Sequence, residues 1–597
     1  MACVKITKHH RLCNKNNVNF LYLQCGYLAD TTINMTKPVP YISRRSPVLG
    51  LNGCVSTDQP LATTAALEIL RKGGNAVDAA IAGVAVLQVI QPYATGIGGD
   101  CFCLFYDGSQ KRVKCINGSG KSPSKLTLDL VNAMGYNESH PLDDATALSA
   151  TVPGAAKGWY DSHRYFGSNK VSMEEILEPA IGYAEQGFPV GPMNSAQWEV
   201  YRSKLLNMHG GKTFLVNGSD TPPSGMVLQN LPLANVLKKL AREGPSAIYR
   251  GDVAQSIVDA AVGGVLSLED LEDHLASNEN PCVVPISTTY HGVTLHTTPP
   301  PSHGAIFLEA LNILEGFDLK GYDPTSAEYL HLMTEALRLS FADGLSYVAD
   351  PTSGAYTGVG KMMCKEYAAQ RRALISLDRV AEIDVAVSAA EQSHTTFLAT
   401  SDGEGNACAF INSNFKGFGC SIVERHGFAL HCRGLGFNLI PGHPNCVGPR
   451  KRPYHTLMPV IATDSSTGKL MAAMGTMGGY GQPQQNLRVL LNMLEMKMNP
   501  QEAVDMPRIM IGSGVTVHPN DYLMLEEGLS DDVVDGLKKR GHKIERVLTG
   551  RERRDLGHYH VIARGNWWCT DVLPTGSEAN VYWAGCDPRS DGVAAAF

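Results

Sequence analysis

The sequence predicts an α+β protein in which strands from both halves of the chain build two stacked sheets between layers of helix. Two changes of texture carry that expectation. As far as residue 393 the chain reads mainly as helices, one of them apolar on every side, broken by glycine and proline turns. From Thr395 onward short alternating segments dominate, bounded by Asp, Gly and Asn. With 597 residues, 44% of them apolar and 18% charged, the chain has the composition of a globular protein with a large core.

Taken in order, residues 1–42 read as a poorly ordered extension. Pro60–Lys72 has helix composition, and Gly73-Gly74 ends it as C-terminal glycines do. Val77–Ile90 consists almost wholly of Ala, Val, Ile and Leu, which marks a buried helix. It runs into Gly96-Ile97-Gly98-Gly99-Asp100 and a strand at Cys101–Tyr106. From Leu126 to about Leu295 the chain reads as helices with polar linkers, among them Ser172–Gln186 and Leu231–Arg242. A rigid turn, Thr297-Thr298-Pro299-Pro300-Pro301-Ser302-His303-Gly304, precedes helices at Ala305–Leu314 and Ala327–Tyr347. Residues 360–393 read as helix followed by an exposed lead-in. Strands are then expected at Phe397–Thr400 and Cys408–Asn412, joined by the turn Asp402-Gly403-Glu404-Gly405-Asn406. Further strands are expected at Leu457–Thr463, Leu470–Met474 and Val581–Ala584, with a helix at Gln485–Met496.

Several function classes are excluded on composition. A net charge of −7, with no Lys/Arg run interleaved with aromatics, argues against nucleic acid. Fifteen cysteines without repeating spacing read as free thiols of a reducing compartment. No apolar run of spanning length is present, so no membrane segment is expected. Met1–Met35 lacks the apolar core of a signal peptide, which points to the cytoplasm. The glycines at 96–99 follow a helix and precede a strand, the reverse of a dinucleotide fingerprint. Gly118-Ser119-Gly120-Lys121-Ser122 lacks the first glycine of a phosphate loop, because that position holds Cys115.

On its own, Ser393-His394-Thr395-Thr396-Phe397 reads as edge-strand threonines. Its company changes that. Gly73-Gly74-Asn75-Ala76-Val77-Asp78-Ala79-Ala80, Gly96-Ile97-Gly98-Gly99, the Pro300-Pro301 turn ending at Gly304, and Phe341-Ala342-Asp343 stand before it. Lys451-Arg452-Pro453, Gly475-Thr476-Met477-Gly478-Gly479-Tyr480-Gly481 and Asp587-Pro588-Arg589-Ser590-Asp591-Gly592 stand after it. Together these blocks, spread from Arg44 to Gly592, resemble the gamma-glutamyltransferase family. The resemblance implies a four-layer αββα N-terminal-nucleophile hydrolase. The precursor would cut itself between His394 and Thr395, giving a large subunit that is folded over 43–394 and a small subunit of 395–597, held as one unit. Thr395 would be nucleophile and, through its new α-amine, its own general base. Gly478 and Gly479 would hold the oxyanion. His455 and Thr456, after Lys-Arg-Pro, would touch the substrate carboxylate, and Asn412, Ser413 and Asn414 lie where the family has polar groups near the nucleophile. The Asp587 block would be structural. No metal or organic cofactor is implied, and the partners are a small-molecule amide and the two subunits themselves.

The sequence departs from the family's γ-glutamyl grip in two places. The expected Arg falls on Ser119, and His431-Cys432-Arg433-Gly434-Leu435-Gly436-Phe437 has no carboxylate where an Asp-Asp-Phe block is usual. These blocks are similar to the branch that holds the gamma-glutamyltransferase-like proteins and the oxamate amidohydrolases, in which Arg433 and Lys121 would hold a substrate carboxylate. The function this implies is a self-processing amidase or acyltransferase acting on a γ-glutamyl-type amide such as glutathione. Its rivals are hydrolysis of a small, oxamate-like acid amide and an uncut, inactive scaffold.

Overall fold

The computed structural model describes residues 45–353, 358–383, 389–390, 394–512, 516–517, 522–569 and 574–597. The expected extension 1–42, and the part of the lead-in at 384–388 and 391–393, lie outside the described residues.

Two seven-stranded antiparallel sheets face each other. The first runs in the order Val593–Ala596, Gly53–Thr57, His394–Asp402, Ala407–Phe415, Asp100–Asp107, Arg112–Gly118 and Cys282–Val283. The second runs Val48–Gly50, Tyr582–Cys586, Tyr559–Arg564, Leu470–Thr476, Val460–Asp464, Val293–Thr297 and Ile286–Tyr290. Phe102, Leu104, Phe397, Ala399, Ile411, Ile461 and Ala473 fill the space between the sheets. Their neighbours Cys103, Leu398 and Phe410 point the other way, into the helices Pro60–Arg71, Ala76–Ile90, Ala155–Phe166 and Met173–Gln186. That alternation is the period-2 pattern of a strand with both faces covered. Gly304–Leu314 and Gly481–Leu494 pack on the second sheet, and Ala327–Tyr347 packs on Gly304–Leu314. The result is the αββα order expected, with strands from both halves in each sheet.

Most elements fall within a few residues of their expected places, and the departures have physical causes. Val460–Asp464 starts three residues later than expected because the carbonyls before it are taken by side chains: Pro459 accepts from Thr297 Oγ1, and Leu457 accepts from Thr298 Oγ1 and Ser302 Oγ. The hairpin Ile286–Tyr290 to Val293–Thr297 falls where helices with polar linkers were expected. Its Thr- and His-rich strands sit at the edge of the second sheet, with one face open to solvent, and so lack an apolar run. Ala76–Ile90 is held at its start by a capping box. Asn75 Oδ1 accepts the N–H of Val77 at 3.0 Å, and Asp78 Oδ2 accepts that of Asn75 at 3.0 Å. Being buried throughout, this helix fixes where the following glycine turn and Asp100 enter the first sheet. Asp587 accepts from Arg508 Nη2 at 2.5 Å and from the Tyr559 N–H at 2.7 Å, a buried structural anchor. Among the described residues no helix is long and apolar enough to cross a membrane.

Candidate active site

Thr395 lies one residue inside the strand His394–Asp402, where pairing with Ala407–Phe415 slips. Thr396 faces Asn412 but His394 faces Phe415, so Ser413 and Asn414 together oppose Thr395. A bulge of this kind re-aims a side chain, and Phe415, at φ 72°, absorbs the bend. Thr395 Oγ1 donates to Ser413 Oγ at 3.0 Å, and Ser413 Oγ donates in turn to the His394 carbonyl oxygen at 2.8 Å. The Phe415 N–H fixes the same serine hydroxyl at 2.8 Å. Thr395 and Ser413 are buried.

Arg433 reaches this pair from the short turn Arg433–Gly436. Its guanidinium lies 4.1 Å from the centre of the Phe415 ring and donates to Thr456 Oγ1 at 2.9 Å and Ser413 Oγ at 3.3 Å. Nε meets no acceptor among the described residues. Burial pushes the guanidinium down to about 10, against the pull of Asp100. A fully buried cation bonded to neutral hydroxyls keeps the capacity to bind an anion.

Asp100 organises the ground behind it. Oδ1 accepts the N–H groups of Gly120 at 3.1 Å and Gly154 at 3.0 Å, and Oδ2 accepts from His455 Nε2 at 3.1 Å. His431 Nδ1 stands 3.6 Å away. Burial opposes the Asp100 charge, but His431, His455 and Arg433 outweigh it and hold the carboxyl at about 2. His455 Nδ1 accepts the Leu457 N–H at 3.3 Å, so both ring nitrogens are spent. His455 therefore positions Asp100 and has no atom free for substrate, which corrects its expected role.

Burial, with Arg433, pushes His455 down to about 3. An unfolded His titrates near ~6.5. The neutral ring's contribution is therefore complete above about pH 6.5 and falls away as the pH drops toward 3, because only the unfolded chain takes up the proton. By pH 5 this one group costs about 2 kcal/mol of stability. His455→Gln, which keeps a donor for Asp100, is expected to flatten the fall in melting temperature between pH 7 and pH 5.

Gly478 and Gly479 lead into the helix Gly481–Leu494 with φ of 116° and 53°. The first is a conformation that side chains rarely adopt. Their carbonyls accept the N–H groups of Gly481 at 2.8 Å and Gln482 at 3.1 Å, while their own N–H groups meet no acceptor among the described residues. The strand that delivers them runs against that of Thr395: a Cβ on Gly475 would fall 2.5 Å from the Phe397 ring. Tyr480, the next residue, has its hydroxyl pushed up by burial while the Arg433 charge opposes the shift.

Of the other expected residues, Asn412 is spent on Thr95 Oγ1 at 2.8 Å, the Gly96 carbonyl at 3.1 Å and Trp159 Nε1 at 3.0 Å. Asn414 anchors the Pro92 carbonyl through Nδ2 at 3.1 Å, and its Oδ1 is buried without a partner. Lys121 is not brought to the site by any bond. Its amine pairs with Glu279, in a cavity of about 200 Å³ that Asp273, His274 and Arg450 also line. The ion pair satisfies it, so its expected grip on substrate is set aside. Asp100 was not singled out from the sequence, although it directly follows the Gly96–Gly99 turn. The signal for it was a lone acid at the mouth of a glycine turn, with Arg433 elsewhere in the chain to be neutralised.

Two facing antiparallel sheets between helix layers, with this hydroxyl pair bridging two adjacent central strands, define the class of N-terminal-nucleophile hydrolases. The chain belongs to the gamma-glutamyltranspeptidase family, whose model matches residues 62–597. It is 33% identical over 550 residues to the glutathione hydrolase-like YwrD proenzyme of Bacillus subtilis, covering 92% of this chain and 99% of that one. It is 29% identical over 562 residues to the oxamate amidohydrolase proenzyme of Klebsiella pneumoniae, covering 92% of this chain and 98% of that one. The crystal structure of cephalosporin acylase from Bacillus halodurans is 34% identical, with a TM-score of 0.82 over 94% of this chain and 98% of that one. Both curated relatives are proenzymes, and the chain is an enzyme of this family.

Proposed function

We propose that this enzyme cuts its own chain between His394 and Thr395 and then hydrolyses amides whose acyl half bears a carboxylate. One observation carries the reading: the Ser413 hydroxyl lies 3.0 Å from Thr395 Oγ1 and donates to the His394 carbonyl at 2.8 Å. As Thr395 Oγ1 attacks the His394 carbonyl carbon, its proton passes to Ser413 Oγ, and the serine proton passes to the carbonyl oxygen. The tetrahedral adduct then breaks its C–N bond as its hydroxyl proton passes to the leaving nitrogen, to leave an ester on Thr395 and a free α-amine. Water hydrolyses the ester to the 394 carboxylate and restores the threonine hydroxyl.

In turnover the α-amine, with a reference pKa of about 7.7–8.0, takes the hydroxyl proton. The N–H groups of Gly478 and Gly479 receive the oxyanion. Arg433 holds the substrate carboxylate in two-pronged fashion, with Thr456 beside it. A small acid amide suits this site better than a γ-glutamyl group. The latter also brings an α-amine, and the positions where the family offers a carboxylate and an arginine hold residues spent elsewhere. Cys432 Sγ faces the Asn414 carbonyl at 3.8 Å, and Ser119 Oγ donates to Asn117 at 2.6 Å.

The test is intact mass under denaturing conditions with N-terminal sequencing, followed by assay of oxamate-like amides against glutathione. The expected result is a fragment starting Thr395-Thr396-Phe397 and faster turnover of the acid amides. A single uncut chain would favour the scaffold; faster turnover of glutathione would overturn the substrate class.

A further inference from the structure

His558 directly precedes the strand Tyr559–Arg564 and lies against the turn that carries Gly478 and Gly479. Its carbonyl accepts the Met477 N–H at 3.2 Å and Thr476 Oγ1 at 3.0 Å. A Cβ on Gly478 would fall 3.4 Å from Gly557 Cα, so the two turns touch through their backbones. The Met477 bond continues the strand pairing by one step, and by the period of two His558 shares a face with His560. That face looks between the sheets, where the His560 ring stacks on Phe397 at 6.4 Å and 16°. Thr395 shares the inner face of its own strand with Phe397, because the extra residue of the bulge lies on the facing strand.

Asp58 shows which way the two histidines run. It directly follows the strand Gly53–Thr57, in which Ser56 faces Ala399 and Thr57 faces Leu398, so the next step leads toward Phe397 and Thr395. Ser56 Oγ lies 3.0 Å from His560 Nδ1, while Asp58 Oδ1 lies 3.1 Å from His560 Nε2 and 3.2 Å from His558 Nδ1. His558 therefore stands at the nucleophile's end of the gap between the sheets. It is 7% exposed, and its Nε2 is buried with no partner among the described residues. Burial opposes a charged ring, but Asp58, helped by Asp587, outweighs it and raises the imidazole above its usual range. Burial likewise opposes the Asp58 charge, and His558 and His560 outweigh it, holding the carboxyl below the usual range. A buried imidazolium whose second N–H has no acceptor is unfavourable until an acceptor arrives there.

We propose that His558 is a further catalytic residue, its Nε2–H a third donor to the oxyanion beside the N–H groups of Gly478 and Gly479. The proposal rests on the reading that Thr395 attacks and that these glycines receive the oxyanion. As Thr395 Oγ1 bonds to the substrate's carbonyl carbon, its proton passes to the α-amine and the carbonyl π pair moves onto oxygen. His558 keeps both its protons and directs one of them at that oxygen. When the C=O bond re-forms, the α-ammonium gives its proton to the leaving nitrogen, and the charge that His558 met is gone. The self-cut takes a different course. There the 394 carbonyl oxygen lies 2.8 Å from Ser413 Oγ, which supplies its proton, so His558 is not needed.

The test compares the natural chain with His558→Leu and His558→Gln, following the cut by denatured mass and turnover on the faster of oxamate and glutathione. Both variants are expected to release the 395–597 fragment within about twofold of the natural rate, because Ser413 serves that step. In turnover His558→Leu should lose about 10²–10³ in kcat with KM unchanged, and His558→Gln, which still offers an N–H, should recover about tenfold of that loss. Asp58→Asn, which keeps the shape but not the charge that holds the ring protonated, should lower kcat about tenfold, and it decides the matter if His558→Leu does not fold. A kcat within about twofold of the natural value in His558→Leu, or in Asp58→Asn in its place, would overturn the proposal. So would equal slowing of cut and turnover, which would mark the ring as a support of the Gly478 turn. A natural chain that stays in one piece, or is cut elsewhere than 394–395, would overturn the reading of Thr395 beneath it.

Discussion

Thr395→Ala is expected to leave the chain in one piece and without amidase activity, a complete loss and not a graded one. In the proposed mechanism the same oxygen attacks in both reactions, and no described neighbour can replace it. Ser413 Oγ, the nearest hydroxyl, sits on the facing strand and has its proton committed to the 394 carbonyl. The fold should survive, because the substitution removes one hydrogen bond worth about 1 kcal/mol and one buried methyl group worth about as much. Ser413→Ala gives the contrasting result. Thr395 remains, but its proton has no relay and the carbonyl loses its donor, so cutting should slow by about 10²–10³ and still finish. A time course of denatured mass separates the two: a flat line for Thr395→Ala, a slow rise of the 395–597 fragment for Ser413→Ala. If Thr395→Ala splits at the same rate as the natural chain, the nucleophile lies elsewhere.

The sequence carries the layers and the family more clearly than it carries the site. Val77–Ile90, apolar on all sides, has to be buried, and a buried helix beside alternating strands leaves few arrangements other than stacked sheets with helices outside. The hairpin at 286–297 escaped because its edge position makes it polar on one face, and its pattern is then that of a linker. Thr395, Gly478 and Gly479 could be proposed from motif blocks, because the chemistry proposed for them depends on their own backbone. Asp100 and the bulge at Ser413 were not, since both depend on register. Whether Ser413 or Asn414 meets Thr395 is set by a one-residue slip between strands, and no composition or spacing records it. His455 misled for a related reason. Its type suits a carboxylate grip, but its Nε2 was already claimed by Asp100, which lies 355 residues away in sequence.

Arg433→Met is expected to lower kcat/KM for a carboxylate-bearing amide by about 10²-fold, chiefly through KM, with little net change in stability, because relief of the buried charge offsets the loss of its pull on Asp100. Arg433 is 0% exposed, its described hydrogen bonds run to the hydroxyls of Thr456 and Ser413, and burial has already pushed its pKa down. A cation in that state is costly to keep buried, and an apolar side chain of similar length removes the cost while retaining contact with the Phe415 ring. A purely structural arginine would behave in the opposite way: its loss would strand buried partners and lower the melting temperature. Both quantities therefore need measuring on one preparation, together with turnover of a neutral analogue in which the carboxylate is replaced by a methyl ester. Loss confined to the charged substrate, with an unchanged or higher melting temperature, marks Arg433 as the carboxylate grip. An equal loss on both substrates would mean that Arg433 acts through Ser413, aligning the nucleophile without touching the substrate.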